Sequence, residues 1–366
     1  MKQHILLGGG IAGLTCTHQL IKAGKKVALF EKNQMNHTQG HAFILMPNGI
    51  AALDEIGLKA EVLRNAHSIQ QFQLHNTDGT LIDYQKLNGA IGIRRGTLMK
   101  ILIDSLPTDC IQFDKGFSHF NYKKSGDIEA AVFQDGTVCP GEVFIGADGI
   151  WSKSRQDVVN DFSLSPVRIR EIVSVVKAPV LVQQYKNSFL KIINKRGGMA
   201  VGMLPCDKEH LVWFVQYDSH HHELLETTLE EQKERLFQLT RQWCDPIPEL
   251  ISKTDLSKSY VWHTTDMHPI PTYFKNNLAL IGDAAHVLLT LTSQGVSCAL
   301  EDAMCLANLL VEKDHLPIES VFEEYTSTRK SIVDTYFQMG RSLKEQFLYP
   351  MQTKKKMAVP LAFNIS

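Results

Sequence analysis

The chain has 366 residues, 44% of them hydrophobic and 21% charged, with 24 Gly and 13 Pro. That length exceeds one compact domain, and the composition excludes collagenous, low-complexity and largely disordered chains. Lys plus Arg (38) balances Asp plus Glu (39) to a net charge of −1, which leaves no global field for gripping a phosphate backbone, so nucleic acid is not an expected partner.

Seven scattered cysteines contain no C-x-x-C pair, so the spacing fits neither a disulfide framework nor a thiolate metal cage, and free thiols suit a reducing cytosol. The apolar run 5–7 is too short for a secretory h-region. The longest apolar stretch, 278–291, carries Asp283 and His286 and is below spanning length. A cytoplasmic protein with no transmembrane segment is the expectation.

In chain order, residues 4–7 form an apolar run ending in glycines. Residues 11–23 have helical spacing on Ile11, Leu14, Leu20 and Ile21, Gly24 stops that helix, and 27–30 is a second apolar run. This is a βαβ unit ending in Glu31. Residues 43–58 read as a strand, a Pro-Asn turn and a short helix closed by Gly57, and 95–106 as a helix on Leu98, Ile101, Leu102 and Leu106. Asp135-Gly136 has hairpin-turn chemistry and leads into an apolar strand stopping at Gly146-Ala147-Asp148-Gly149. From about 165 to 265 the chain is β-rich, with runs such as IVSVVKAPVLV and HLVWFVQYD around an amphipathic helix near 228–243. That block reads as a separate sheet layer. Trp213, Phe214 and Tyr217, with Met199 and Met203, fit either a cavity wall or a packed core. His220-His221-His222 reads as a solvated loop, because consecutive side chains diverge and seldom share one ion. The first style then returns with a strand at 278–283, a helix at 294–310 and a last helix at 318–347 before a solvated Lys354-Lys355-Lys356 tail.

Gly8-Gly9-Gly10-Ile11-Ala12-Gly13 matches G-x-G-x-x-G between a strand and a helix. Gly8 allows the tight turn, Gly10 lets the backbone approach a pyrophosphate, and Gly13 lets helix and strand pack closely. Phosphates would then sit on the helix N-terminus at Ile11 and Ala12, where N–H groups and the dipole favour anions. Glu31 stands about twenty residues on, the spacing of an acid that accepts from ribose hydroxyls. Together these predict dinucleotide binding.

Further segments narrow the choice. GADGIWSKSR (146–155), LALIGDAAH (278–286), PNGIAALDEIGL, the Arg95-Gly96-Thr97-Leu98 helix start, and LEDAMCLANLL followed by Tyr325 and Arg329 occur in one collinear order. Over about residues 1–160 and 260–335 the chain resembles the flavoprotein hydroxylases with the p-hydroxybenzoate hydroxylase fold. The resemblance implies an α/β chain: a Rossmann-like FAD-binding domain (1–70, 95–160 and 270–335) interleaved with a β-sheet-rich substrate domain (71–94 and 161–269), then a C-terminal helix and tail (336–366). It implies FAD as cofactor, NAD(P)H as transient co-substrate, and hydroxylation of a small aromatic or polycyclic substrate by O2 through a flavin C4a-hydroperoxide, in a monomer or homodimer.

By the same resemblance, Gly8, Gly10, Ile11, Ala12, Gly13, Glu31 and Lys32 hold the dinucleotide end and Arg95 reaches the FAD phosphates. Asp283 accepts from ribityl or pyrophosphate-linked hydroxyls, and Gly295, Val296 and Ser297 point N–H groups at the flavin N1–O2 edge. Asp148, with Arg155, matches a motif that stiffens a turn and handles both nucleotides. Read without the resemblance, Asp283 is equally a helix cap and Asp148 a turn residue. Only one G-x-G-x-x-G exists, so a nicotinamide nucleotide would visit a groove rather than a second Rossmann domain.

The chain departs from the family after His286. Val287 and Leu288 stand where Pro-Met is usual, Thr290 where a second Pro falls, Ser293 for a Gly and Ser297 for an Asn, while Lys32 replaces an Arg. This loop is the one that passes flavin C4a. The departures keep two alternatives open, a flavin dehydrogenase or reductase of the same superfamily and a non-catalytic flavin-binding protein. No catalytic side chain is nominated; His268 and Tyr273 lie between the β-rich block and the third motif, where loop packing is the simpler role.

Overall fold

The computed structural model describes residues 2–34, 41–222, 224 and 228–350; the expected Lys354-Lys355-Lys356 tail lies outside them. β1 (Gln3–Leu7), α1 (Ile11–Lys22) and β2 (Lys26–Phe30) form the predicted βαβ unit, with Gly24 at φ +72° ending the helix. Next come β3 (Ala42–Leu45), α2 (Pro47–Glu55) and α3 (Lys59–Arg64). The expected Pro-Asn turn is instead the first turn of α2, because a proline there has no N–H to lose and its φ is already helical. β4 (His67–Asn76) and β5 (Leu81–Arg94) make a long hairpin that runs straight into α4 (Arg95–Asp104). After β6 (Ile111–Gln112), the strands β7 (Phe117–Tyr122), β8 (Ile128–Phe133) and β9 (Val138–Pro140) form a small antiparallel sheet, with Gly136 at φ +84° in the predicted hairpin turn. β10 (Val143–Gly146) and α5 (Ser154–Val158) complete the first half.

The middle block holds β11 (Ile169–Lys177), α6 (Pro179–Gln184), β12 (Ser188–Ile193), β13 (Met199–Pro205) and β14 (His210–Asp218). α7 (Leu229–Thr240), α8 (Ile247–Lys253) and β15 (Tyr260–Thr264) follow. The run IVSVVKAPVLV is not β throughout: Pro179 cannot donate to a ladder, and it opens α6. The chain closes with β16 (Phe274–Lys275), β17 (Leu278–Leu280), α9 (Gly295–Glu312) and α10 (Ile318–Leu348). Among the described residues no helix is long and apolar enough to cross a membrane.

Two large sheets organise these elements. One has the order β16-β17-β10-β1-β2-β6 and is parallel except for β16. Ile5, Leu6, Phe144, Ile145 and Leu280 from its strands pack with Leu14 and Leu20 of α1 and Leu300, Ala303 and Leu306 of α9. The other has the order β15-β11-β14-β13-β12-β4-β5-β3, antiparallel except for β12 on β4. It draws β3 and the whole of β4 from the region just after the first unit.

The second sheet has two apolar faces. Trp213, Tyr217, Met199 and Met203 lie under α7 and α8 with Leu236, Leu250 and Ile251, so they are core, and Trp213 Nε1 donates to Thr254 Oγ1 at 2.9 Å. Phe214 alone of that group is on the opposite, inner face. The inner face meets the loop after the third motif: Ile169 and Ala200 pack on Leu289 and Leu291 and on Leu343 and Phe347 of α10. α10 is pinned by Arg341, which donates to both Asp266 oxygens and to Ser165 Oγ.

Candidate functional site

The glycine loop leaves β1 with Gly8 at φ +110°, a conformation that L side chains rarely adopt. A Cβ on Gly8 would fall 2.3 Å from Ala147 O, and one on Gly13 would fall 2.0 Å from Gly8 O. The close packing read from the motif is therefore present. At Gly10 a Cβ would meet nothing within 4 Å, so the loop is open on that side. The first backbone bond of α1 runs from Leu14 N–H to Gly10 O at 2.9 Å, which leaves the N–H groups of Ile11, Ala12 and Gly13 ahead of the ladder and facing the amino end of the dipole outward. Glu31 sits at the end of β2, where Oε2 accepts from Gly9 N–H at 2.7 Å and Oε1 from Asn33 N–H at 2.9 Å. Lys32 beside it is exposed.

Asp148 closes the turn after β10. Oδ1 accepts from the Ser152 and Ser154 hydroxyls (2.6 and 2.7 Å) and Oδ2 from the Lys153 and Ser154 N–H groups (2.9 and 3.0 Å). Its carboxylate is thus spent on its own turn. Arg155 is fully buried and donates only to backbone: Nε to Ala284 O at 2.8 Å, Nη2 to Asp283 O at 2.6 Å, and both Nη groups to Ile150 O at 3.2 Å. One guanidinium therefore sews the second motif to the third.

The third motif leaves β17 at Gly282, whose Cβ would lie 3.2 Å from Ala12 Cβ and 3.3 Å from Ala299 Cβ. The three motifs meet here with the start of α9. Ile281, Gly282 and Ala284 are buried while the Asp283 side chain is exposed. Dense packing around it pushes its carboxyl above the usual carboxylate range, and His286 and Arg155 offset that only in part. Arg95 opens α4 with its N–H on His41 O at 2.6 Å; its charge also reaches Asp283. Its guanidinium makes no hydrogen bond or ion pair among the described residues.

Sequence reasoning missed what lies behind Asp283. Asp302, fully buried in α9, accepts from Gly282 N–H at 2.9 Å, His286 Nε2 at 2.6 Å and Arg329 Nε at 2.7 Å. Burial pushes the Asp302 carboxyl up, but His286 and Arg329 pull harder and hold it at about 2. The available signal was the acid pair Glu301-Asp302 at the front of the largely apolar stretch LEDAMCLANLL.

At the head of α9 a Cβ on Gly295 would meet nothing within 4 Å, so this helix start is open as well. Val296 is half-buried. Ser297 turns its hydroxyl inward, accepting from Met46 N–H at 3.3 Å, so only its backbone remains for a ligand. Ser293, standing for a glycine, keeps a left-handed backbone at φ +55°. Thr290 reaches across and donates to Glu171 of β11. Tyr273 packs against Tyr325 and His286, and His268 against Phe337, so both have the loop-packing role. No group of metal ligands occurs among the described residues, and His221 pairs with Asp218 at 3.0 Å in its own turn.

Two open helix starts, an unpaired arginine and an exposed carboxylate in a buried setting suit one long ligand with anionic and hydroxylated parts, and these are the features FAD carries. A family model described as FAD binding domain matches residues 3–339. Monooxygenase 1 of Arabidopsis thaliana is 26% identical over 374 residues, covering 93% of this chain and 90% of that protein. The 3-hydroxybenzoate 6-hydroxylase 1 of Aquipseudomonas alcaligenes is 25% identical over 352 residues, covering 92% and 88%. Among solved structures, Klebsiella pneumoniae HpxO complexed with FAD and uric acid aligns with a TM-score of 0.84 at 19% identity, over 93% of this chain and 87% of that one. P. aeruginosa PqsL in complex with 2-aminobenzoylacetate also gives 0.84, at 22% identity over 94% and 96%. The family match along nearly the whole chain, joined to the likeness of fold, means that this protein belongs to the FAD-dependent aromatic hydroxylases with the p-hydroxybenzoate hydroxylase fold.

Proposed function

We propose that the protein is an FAD-dependent monooxygenase that consumes NAD(P)H and O2 to hydroxylate a small aromatic or polycyclic substrate. The observation that carries this reading is the convergence of the 8–13, 146–155 and 282–297 segments on one open cleft, with Gly282 against Ala12 and Ala299. The hydroxylase named among its relatives favours the same chemistry. Bound there, FAD would supply hydride acceptance from the nicotinamide and activation of O2 at C4a.

The chain's own contribution is position and field. Gly8, Gly10, Ile11, Ala12 and Gly13 would hold the pyrophosphate, Glu31 the adenosine ribose, and Arg95 and Asp283 the phosphates and ribityl hydroxyls. Gly295, Val296 and Ser297 would direct backbone N–H groups at the flavin's N1–O2 edge. A helix start facing charge there is worth about 0.3–2 kcal/mol. Asp302 fixes the turn that carries Asp283, through Gly282 and His286. Ser293, where the family has a glycine, holds a left-handed backbone that glycine adopts without strain.

The test is to load the purified protein with FAD and screen aromatic compounds for faster NAD(P)H consumption under labelled O2. Label in the product establishes the hydroxylase. Product that is desaturated or reduced without label assigns the reductase chemistry instead, and a protein whose colour never appears with added FAD overturns the reading altogether.

A further inference from the structure

Glu171 of β11 is buried, and its Oε1 takes three hydrogen bonds. Gln216 Nε2 donates from β14 at 3.0 Å and Thr264 Oγ1 from β15 at 3.2 Å, so the two neighbouring strands fix the carboxylate from within the sheet. The third donor is Thr290 Oγ1, from the loop after the third motif. Among the described residues this is the only hydrogen bond between the 287–293 loop and the second sheet. The family usually has a proline at 290, which carries no side-chain donor, so the tie is this chain's own.

A short chain of bonds joins Thr290 to the start of α9. Residues 290–292 form a single 3₁₀ turn in which Ser293 N–H donates to Thr290 O at 3.0 Å. Gln294 N–H follows onto Thr292 Oγ1 at 3.3 Å, and Cys298 N–H onto Gln294 O at 2.8 Å. A shift at Thr290 is therefore passed to Gly295, Val296 and Ser297, which lie in the first turn of the helix. The contacts on either side of Thr290 are apolar. Leu289 and Leu291 pack on Ile169 and Ala200, and Gly340 of α10 approaches so closely that a Cβ there would lie 3.3 Å from Leu289 Cβ. Apolar contact is non-directional, whereas a hydrogen bond to an acid held by two strands selects one position for the loop.

We propose that Glu171 is a positioning residue for the flavin: through Thr290 it sets where the N–H groups at the start of α9 stand against the N1–O2 edge. This rests on the FAD-dependent reading and adds to it how the reduced cofactor is favoured. Two-electron reduction leaves that edge negative, and a helix start stabilises the charge only as well as it is aimed. A loop cut free of Glu171 keeps the helix and its dipole but loses the aim. The reduced form then loses more binding than the oxidised form.

The test is the reduction potential of FAD bound to the protein, read by equilibration with a reference dye. Thr290→Val keeps the side chain's shape and loses the donor; Thr290→Ser keeps the donor. Thr290→Val should prefer reduced over oxidised FAD about threefold less than wild type, a potential about 15 mV more negative, while Thr290→Ser matches wild type. Glu171→Gln retains an acceptor oxygen and loses only a negative charge, so its potential should not fall. Glu171→Met has no acceptor oxygen, and on that background Thr290→Val should have no further effect. If Glu171→Met does not fold, the Thr290 pair and Glu171→Gln decide. An unmoved potential in Thr290→Val, an equal fall in Thr290→Ser, a fall in Glu171→Gln or an undiminished effect on the Glu171→Met background would each overturn the proposal. So would a lower unfolding temperature of FAD-free Thr290→Val with the potential unmoved, the pattern of a bond that is structural alone. A wild-type protein that takes up no FAD would remove the monooxygenase reading and this one with it, whereas FAD-loaded variants sharing one potential would remove only this one.

Discussion

Gly10 and Gly13 lie on the same loop under opposite constraints. Gly13 has backbone in the space a methyl would need, 2.0 Å away, while Gly10 has only the open cleft. Gly13→Ala should therefore lower stability by about 3 kcal/mol, since the obstructing atom is a carbonyl oxygen that cannot swing aside. Gly10→Ala should unfold within about 1 kcal/mol of wild type and still lose flavin, because its methyl would occupy the ligand's space. Thermal unfolding of both variants beside their visible spectra separates the two effects; equal destabilisation would show that Gly10 is merely structural. Ser293 offers a test of opposite sign. A left-handed backbone burdens a residue with a Cβ, so Ser293→Gly is expected to raise stability by about 0.5–1 kcal/mol in denaturant titration, the gain being trimmed by glycine's greater freedom in the unfolded chain.

At the scale of elements, Asp302 joins three: the turn after β17 through Gly282 and His286, its own helix α9, and α10 through Arg329, which also pairs with Glu301 at 2.9 Å. Asp302→Asn removes the buried charge that balances Arg329 and should cost about 3 kcal/mol. The same group sets an acid limit. Its carboxyl lies at about 2 in the folded chain against an ordinary 3.8, so the folded state is favoured while the group stays ionised. That contribution, about 2 kcal/mol, is complete above pH 3.8 and is lost as pH falls toward 2. Urea midpoints measured between pH 5 and pH 2 should decline less steeply in Asp302→Asn than in wild type. Parallel declines would place the acid-sensitive charge elsewhere.

For the whole molecule, the candidate cleft is assembled from segments far apart in the chain, so a ligand that touches all of them should stabilise the fold as a unit. FAD added at a hundredfold excess over its Kd is expected to raise stability by about 2.7 kcal/mol. Asp283→Ala should lose most of that increment with little change in the ligand-free protein, because its side chain is exposed. Differential scanning calorimetry with and without FAD decides it, and an undiminished increment in the variant would remove the hydroxyl-binding role of Asp283. How much of this was legible beforehand follows from what is local. The glycine turn, the helix starts at Ile11, Arg95 and Gly295, and the apolar strands are set by φ preferences, helix capping and periodicity within a few residues, so they could be read in order along the chain. Pro47 and Pro179 were misread because the same residue that ends a strand also starts a helix well. Tertiary structure alone decided which face of β14 meets the cleft, putting Trp213 and Tyr217 in the core and Phe214 inside, because strand alternation separates two faces without saying what each will cover. It also decided that Arg155 and Asp302 stand where they do, since burial of charge arises only when distant segments come together.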